Sequence, residues 1–247
     1  MTQYFTEADA GERYALYRPK VHKIALDWLK KAVSGRRFSY AVDVACGTAD
    51  STQPLMEIAD QVLGIDASEE MLSMARKKGI NVARADYSEL PSFGRFDLIS
   101  TCMAFHWFDS ETAISSYKAA SRQDAIWIIY NFAFGGHSTS NEFNDWFWKR
   151  YLKEYPSPPR GKMNNAIPEE DPEIELLVKD SGWMPLEFTL EQLFSYLSTQ
   201  SNIEHQLRKG RRLKDIRKSI LEQISVLNIS GPFKYEYSYQ IFKYIGS

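Results

Sequence analysis

A chain of 247 residues, 44% of them hydrophobic and 25% charged, has the composition of an ordinary globular protein, which excludes wholesale disorder. A net charge of −2 provides no basic field for nucleic acid or an anionic membrane, and no apolar run reaches the roughly 20 residues of a membrane span. Two cysteines are too few for a disulfide framework, and the acidic N-terminus is unlike a signal peptide, so we expect a soluble, cytoplasmic, single-domain protein.

Short apolar runs alternate with helical patterns from residue 21 to residue 132. Helical spacing of apolar residues predicts helices at 21–33, 50–59, 68–79 and 110–121. Buried strands are predicted at 40–45, 61–66, 80–86, 96–103 and 125–132. Ser68 is the predicted N-cap of its helix, and Gly79 ends that helix. This alternation implies right-handed βαβ units and a parallel sheet covered on both faces.

The alternation ends after residue 134. Residues 135–172 begin with two glycines and hold half of the ten prolines. They enclose an aromatic-rich predicted helix at 141–155, which is more often a packed helix than a ligand cage. Beyond this segment we predict helices at 172–181 and 211–228, a strand at 184–194 and an antiparallel last strand at 234–245.

The sharpest local signal is a turn of small residues after the first strand. That strand ends in Asp43, and residues 45–48 (Ala-Cys-Gly-Thr) lead into a predicted helix. Small residues let a ligand lie against the backbone, and a helix start favours a negative ligand group. Asp66 ends the second strand, 23 residues after Asp43, which is a suitable position for binding ribose hydroxyls. Each carboxylate can instead be a simple cap of the helix that follows it.

Two cofactor classes use such a turn. A nicotinamide dinucleotide needs a G-x-G-x-x-G turn for its pyrophosphate, but only Gly47 is glycine here, and Asp43 would repel a diphosphate. S-adenosylmethionine has no phosphate, and its ammonium group suits an acidic residue. The charge pattern therefore favours S-adenosylmethionine, with S-adenosylhomocysteine as the product.

Four ordered strings carry a family resemblance: VDVACGTAD, GIDASEEML, ARADYSELP and FDLISTCMAFHWFD. Together they resemble the class I S-adenosylmethionine-dependent methyltransferases, most closely the type 11 subgroup that includes trans-aconitate methyltransferases. The resemblance is strong over 40–131 and weaker at 14–21 and 194–202. It implies an α/β fold with a Rossmann-like, doubly wound and mostly parallel seven-stranded sheet, helices on both faces and an antiparallel last strand.

The resemblance also implies an organisation and a set of cofactor contacts. Within one methyltransferase domain (1–247), 1–34 would be a helical cover, 35–134 the cofactor-binding half, 135–172 an inserted lid and 173–247 the C-terminal half of the sheet. The implied contacts are Asp43, Ala45 and Gly47 for the methionine part, Asp66 for the ribose, Ala67, Met71, Asp86 and Tyr87 for the adenine, and Cys102 and Met103 beside the methionine end. The family usually has glycine at the position of Ala49 and often at that of Ala45. Asp86 can also simply start a turn.

An acceptor pocket is expected at the carboxyl edge of the sheet, where ligands bind in open α/β folds. Its predicted lining residues are Tyr14, Tyr17, Arg18, His106, Trp107, Tyr130, Thr199, Gln200 and Ser201, the last three only by resemblance. Arg18 can pair with a carboxylate of cofactor or substrate, or lie on a surface helix. His106 is the candidate general base, or else a packing residue beside Trp107.

These features favour an enzyme that methylates a small molecule, such as a carboxylic acid or an aromatic compound. One alternative is an RNA or protein methyltransferase that uses seven basic residues between 208 and 218, although such runs are usually solvated helix faces. Another is a cofactor-binding homologue without transferase activity. The dispersed histidines predict no metal site. We expect a small-molecule partner, no nucleic acid or membrane, and a monomer or weak homodimer.

Overall fold

The computed structural model describes residues 10–157, 171–229 and 231–246. Seven strands form one sheet in the order β3-β2-β1-β4-β5-β7-β6. They are β1 (Phe38–Val44), β2 (Ala59–Asp66), β3 (Val82–Arg84), β4 (Phe96–Cys102), β5 (Ser121–Ser138), β6 (Ile174–Leu186) and β7 (Phe233–Tyr244). Strands β1 to β5 pair in parallel, and β7 is antiparallel to its neighbour. The predicted Rossmann-like fold class is confirmed.

The chain divides into two compact units. The first, here called the sheet unit, contains the described residues 20–131, 171–181 and 238–246. The second, here called the aromatic unit, contains the described residues 10–19, 132–157, 182–229 and 231–237. Strands β5, β6 and β7 contribute residues to both, and each unit is described below by itself.

Helices cover both faces of the sheet unit. They are α2 (Ile24–Ala32), α3 (Thr52–Leu55), α4 (Glu69–Lys77) and α5 (Ser110–Ala119), with short 3-10 helices at Tyr87–Phe93 and Phe105–Trp107. Trp28 of α2 meets the ring of Tyr130 edge-on, and Tyr117 of α5 meets Trp127 edge-on. Because Trp127 and Tyr130 have opposite parity along β5, α2 and α5 lie on opposite faces of the sheet. Helix α4 begins as predicted, with the Ser68 hydroxyl accepting a hydrogen bond from the Met71 N–H.

The aromatic unit has a core of packed rings. Its helices are α1 (Ala10–Tyr17), α6 (Asn141–Trp146), α7 (Leu152–Glu154), α8 (Leu190–Leu197), α9 (Ser201–Arg208) and α10 (Leu213–Ile224), with a π-helical turn at Phe147–Tyr151 between α6 and α7. Phe143 and Tyr151 are fully buried. Gly136 is needed beside Phe147, because an added Cβ would lie 1.9 Å from that ring. The interpretation of 141–155 as a packed helix is confirmed.

Two predicted elements are wrong in type, and a third is too long. Residues 172–181 form most of strand β6 rather than a helix, because Ile174 alternates with exposed residues and is buried in the core beside β7. Residues 184–194 are not one strand: β6 ends at Leu186, and Thr189 caps α8 through a reciprocal box with Gln192. The helix predicted at 50–59 is only the single turn α3, which contains Pro54. Helices α8 and α9 were not predicted.

Candidate cofactor site and a neighbouring cavity

Asp43 lies at the end of β1 and is completely buried. Its Oδ2 atom accepts hydrogen bonds from the hydroxyls of Ser51 (2.6 Å) and Thr52 (2.7 Å). Its Oδ1 atom has no hydrogen bond of normal geometry with any described residue. Burial raises the pKa of Asp43 to about 6, although the two hydroxyls favour the charged form. The strand therefore carries a buried carboxylate with one oxygen whose hydrogen-bonding capacity is unused by the described residues.

The turn after Asp43 has an unusual backbone. Ala45, Gly47 and Ala49 all have positive φ, at 57°, 54° and 63°. This left-handed region is open to glycine but costs an L-residue roughly 1–2 kcal/mol. Ala49 is also fully buried and packs with Ala75 and Ile80. Alanine at position 49 thus strains the backbone, and the methyl group of Ala49 packs in the hydrophobic core.

Asp66 connects this turn to helix α4. Its Oδ2 accepts a hydrogen bond from the Gly47 N–H and its Oδ1 accepts one from the Ser68 N–H, both at 2.8 Å. Burial raises the pKa of the Asp66 carboxyl, while both backbone bonds oppose that shift. A carboxylate offers about four lone-pair sites, so these bonds leave capacity for ligand hydroxyls. Asp66 thus holds the turn in place and remains able to bind a diol.

A lysine clamp, which the sequence did not reveal, holds the other side of the turn. Lys78 Nζ donates to the Thr48 carbonyl and to Asp50 Oδ1, both at 2.7 Å, and Lys20 Nζ donates to Asp50 Oδ2 at 2.8 Å. Burial opposes ionisation of Asp50, but the hydrogen bonds from both lysines keep its pKa below the ordinary value. Through Lys20 and Lys78, the clamp holds the turn to two other segments of the sheet unit.

The predicted adenine contacts lie around the next strand ends. Asp86 caps the 3-10 helix Tyr87–Phe93 by accepting a hydrogen bond from the Ser88 N–H, so its turn-forming interpretation is realised. The Tyr87 ring stacks on Phe108 at 4.2 Å. Met71 is buried, and Ala67 is half-buried. Both cap bonds from Ser88 go to the Oδ1 atom of Asp86 and do not involve its second carboxylate oxygen.

The residue that follows β4 also has a left-handed backbone. Met103 has a φ of 55°, and its N–H donates to the Tyr130 carbonyl at 2.8 Å. Cys102 and Cys46 are both buried, and burial raises the pKa of the Cys46 thiol. Both cysteines therefore behave as the predicted small core residues. His106 and Trp107 follow in the 3-10 helix with their ring centroids 4.8 Å apart.

A cavity of about 500 Å³ lies within the sheet unit. Its lining residues are Phe105, His106, Ile129, Asn131, Lys179, Asp180, Ser181, Ser238, Tyr239 and Gln240. His106 is the one predicted acceptor residue that lines it; Trp107 and Tyr130 do not. No sequence pattern marked the lining residues of β5, β6 and β7, because these strands bring them together from distant parts of the chain.

The remaining predicted acceptor residues lie in the aromatic unit. Arg18 Nη2 donates to the Thr199 carbonyl at 3.0 Å, and its guanidinium carbon lies 4.7 Å from the centre of the Tyr14 ring. Arg18 forms no ion pair with any described residue. Tyr17 is exposed; Gln200 and Ser201 begin helix α9. The structure thus brings Tyr14, Arg18 and Thr199 together.

The basic run at 208–218 is largely paired with acids. The ion pairs are Arg211–Glu154 (3.6 Å), Arg212–Asp215 (2.7 Å), Arg217–Glu191 (2.7 Å) and Lys218–Glu222 (3.8 Å). Helix α10 directs Ile216, Ile220 and Ile224 into the core, as its pattern predicted. These pairs match the solvated-face interpretation and leave less free positive charge for a polyanion.

The described residues contain neither a metal-ligand cluster nor a membrane-spanning helix. Within 10–157, 171–229 and 231–246, no group of three or more His, Cys, Asp or Glu side chains is arranged to hold a metal ion. Over the same residues, no helix combines the length and the apolar character that crossing a membrane requires.

Comparison with known proteins places this geometry in a family. Residues 41–123 match the family described as the methyltransferase domain. A Dictyostelium discoideum protein named as a methyltransferase is 22% identical over 191 residues, 74% of this chain and 72% of that protein. A malonyl-[acyl-carrier protein] O-methyltransferase of Hamiltonella defensa is 30% identical over 101 residues, 39% of each chain. A type II methyltransferase structure from Anaeromyxobacter dehalogenans superposes with a TM-score of 0.61 at 18% identity, covering 93% of this chain and 98% of that one.

The matched segment contains the strand ends and turns that carry Asp43, Asp66 and Asp86. Residues 41–123 thus carry a methyltransferase domain, similar to the class I S-adenosylmethionine-dependent methyltransferases of the type 11 and 25 kind. The resemblance drawn from the four sequence strings is confirmed. The similarity to the solved structure extends the shared fold over 93% of this chain.

Proposed function

We propose that the protein binds S-adenosylmethionine and transfers its methyl group to a small-molecule acceptor in the cytoplasm. The observation that carries this proposal is the buried Asp43 carboxylate, whose Oδ1 has no hydrogen bond of normal geometry among the described residues. An ammonium group is a suitable donor to such an oxygen, whereas a pyrophosphate would be repelled. The fold and family support the same cofactor.

Each of the predicted contacts has a role in this proposal. Asp43 and the turn from Ala45 to Gly47 hold the methionine part, and Asp66 accepts the ribose hydroxyls. The adenine and sulfur ends are assigned to the residues that follow β2, β3 and β4, namely Ala67, Met71, Asp86, Tyr87, Cys102 and Met103. Partial burial around these strand ends strengthens each charged hydrogen bond.

When bound, S-adenosylmethionine would supply an electrophilic methyl group on its sulfonium, and the carbon–sulfur electron pair would stay on sulfur when an acceptor lone pair takes the methyl group. The protein's own contribution is to position the acceptor and exclude water. An acceptor that carries a proton must lose it. His106, in the 3-10 helix after β4, is the residue proposed to take that proton. A carboxylate acceptor would leave His106 without this role.

Calorimetry tests the cofactor assignment. We expect S-adenosylhomocysteine to bind the purified protein with micromolar or tighter affinity and NAD to show no binding under the same conditions. Micromolar binding of NAD with none of S-adenosylhomocysteine would refute the assignment.

Replacing Asp66 by alanine should weaken S-adenosylhomocysteine binding by roughly 1.5–3 kcal/mol, since charged hydrogen bonds to the ribose would be lost. The measurement is the dissociation constant from calorimetry, with circular dichroism to confirm that the variant is folded. Asp60→Ala, which changes an exposed carboxylate of the same strand, is the matched control. An unchanged dissociation constant in folded Asp66→Ala would mean that Asp66 only caps the turn and α4.

Replacing Lys78 by methionine should weaken the same binding several-fold without removing any group that touches the cofactor. The Thr48 carbonyl and Asp50 would lose their shared cation, and the strained turn would sample more conformations. Lys77→Met, which changes a neighbouring exposed lysine, should bind normally. Identical affinities of the two variants would show that the clamp has no influence on the turn.

A further inference from the structure

The cavity of the sheet unit lies beside the proposed cofactor edge. Across β4 and β5, Cys102 pairs with Tyr130, so Asn131 lies one residue beyond the last pair, at the carboxyl end of β4. Asp43 and Asp66 also end parallel strands, and their carboxyl ends therefore lie along the same edge. A cavity of about 500 Å³ at this edge is of the size that small-molecule sites have, about 300–1,000 Å³.

Its wall combines apolar side chains with two unpaired amides. Ile129 and Phe105 belong to one hydrophobic cluster, and Asn131 shares the face of Ile129 because it is two residues further along β5. On β7, Gln240 shares the face of Phe242, another member of that cluster. Both amides are half-buried, and neither forms a side-chain hydrogen bond to any described residue. Both amides are therefore free to exchange hydrogen bonds with a ligand that enters the cavity and carries matching groups.

The charges around the cavity do not select an ion. Lys179 and Asp180 are adjacent on β6, carry opposite charges and are both exposed. No arginine is among the lining residues, all of which belong to the described part of the chain. Because adjacent residues of a strand point to opposite faces and both side chains are exposed, neither provides a buried counter-charge for a charged ligand. A neutral ligand needs no such counter-charge.

We infer that this cavity is the acceptor site and that it takes a neutral, flat molecule with an amide-like or hydroxyl hydrogen-bonding group, held by Asn131 and Gln240. This inference rests on the proposed function, which it deepens by naming the acceptor class. The ring of such a molecule packs on Phe105 and Ile129, and each amide provides a donor and an acceptor. The acceptor predicted from Arg18, a carboxylic acid, is of a different class.

Three probes that share one ring separate the charge classes: benzamide, benzoate and benzylamine. We expect calorimetry on the protein saturated with S-adenosylhomocysteine to show the tightest binding for benzamide. Asn131→Leu and Gln240→Met should each weaken benzamide binding about five-fold, the effect of one neutral hydrogen bond. The side-chain amide NMR signals of both residues, assigned from these variants, should shift when benzamide is added. Gln123→Met, at an exposed amide on the other end of β5, should bind benzamide normally.

Tighter binding of benzoate or benzylamine, unchanged benzamide affinity in both variants, or no benzamide binding at millimolar concentration would each overturn the inference. Binding of S-adenosylhomocysteine, measured first on the same samples, reports on the cofactor separately. If the product cofactor binds and benzamide does not, the cavity assignment fails while the cofactor assignment stands. If benzamide binds through the two amides and S-adenosylhomocysteine does not, the cavity is a ligand site and the methyltransferase proposal fails.

Discussion

Replacing Arg13 by methionine should lower the free energy of unfolding by about 3–5 kcal/mol, the usual cost of leaving a buried charge without its partner. Arg13 on α1 forms an ion pair with Glu204 on α9, and the two side chains are only 11% and 1% exposed. Methionine fills similar space but offers no charge. Glu204 would then stay buried without its cation or draw water into the helix packing.

Urea unfolding of the parent and variant measures this loss. The double variant Arg13→Met/Glu204→Leu should recover most of it, because an apolar pair of similar volume is often as stable as a buried ion pair. Arg37→Met breaks an exposed ion pair with Asp60, both side chains being 59% exposed, and should cost no more than about 1 kcal/mol. If Arg13→Met lowered the free energy of unfolding as little as Arg37→Met, the Arg13–Glu204 pair would be accessible to water.

The Asp43→Asn variant should be more stable than the parent at pH 7, by about 3 kcal/mol. In the parent protein the pKa of Asp43 is about 6, roughly two units above the ordinary value, so the folded protein holds the Asp43 proton more tightly than the unfolded chain. Between pH 4 and pH 6 the folded protein must therefore give up a proton that the unfolded chain has already lost. The contribution of Asp43 to stability falls as the pH rises through this window and is constant above it. Asparagine keeps an oxygen for Ser51 and Thr52 and carries no buried charge.

Urea unfolding of both proteins at pH 4, 5, 6 and 7 tests this, since the difference between them removes the other titrating groups. We expect the difference to be small at pH 4 and to grow in favour of the variant up to pH 6. The same variant should bind S-adenosylhomocysteine more weakly, because the ammonium loses its carboxylate; stability and binding would move in opposite directions. A variant less stable than the parent at pH 7 would show that the ionised carboxylate is fully compensated in the folded protein.

The sequence was sufficient to predict a helix or strand wherever the residues of that element determine its structure by themselves. Helix α4 was predictable because Ser68, its acids and its bases sit at the positions that a helix requires. Strands β1 and β4 are each seven residues long and rich in apolar and β-branched side chains, and both were predicted. The resemblance also marked Ala45 and Ala49 as glycine-type positions, and both have left-handed backbones.

Other features depended on contacts between distant residues. Residues 174–181 have enough helix-forming side chains to suggest a helix, and only pairing with β7 makes them a strand. Lys78 is 30 residues from Thr48, and its bond to that carbonyl exists only after β2 and α4 are in place. Asn131 and Gln240 are more than a hundred residues apart, so their shared cavity had no local pattern. By contrast, the Thr189–Gln192 capping box was visible and could have corrected the 184–194 strand.

The place of β7 between β5 and β6 has a consequence for synthesis on the ribosome. Strands β1 to β5 can pair as they emerge, but β6 emerges before the strand that joins it to the sheet. Until residues 233–244 are made, β5 is an open edge and β6 has no neighbour. Such an interval exposes backbone donors and acceptors to other nascent chains. Synthesis of β7 thus ends the period in which this sheet is most open to aggregation, and chaperone binding should be concentrated before it.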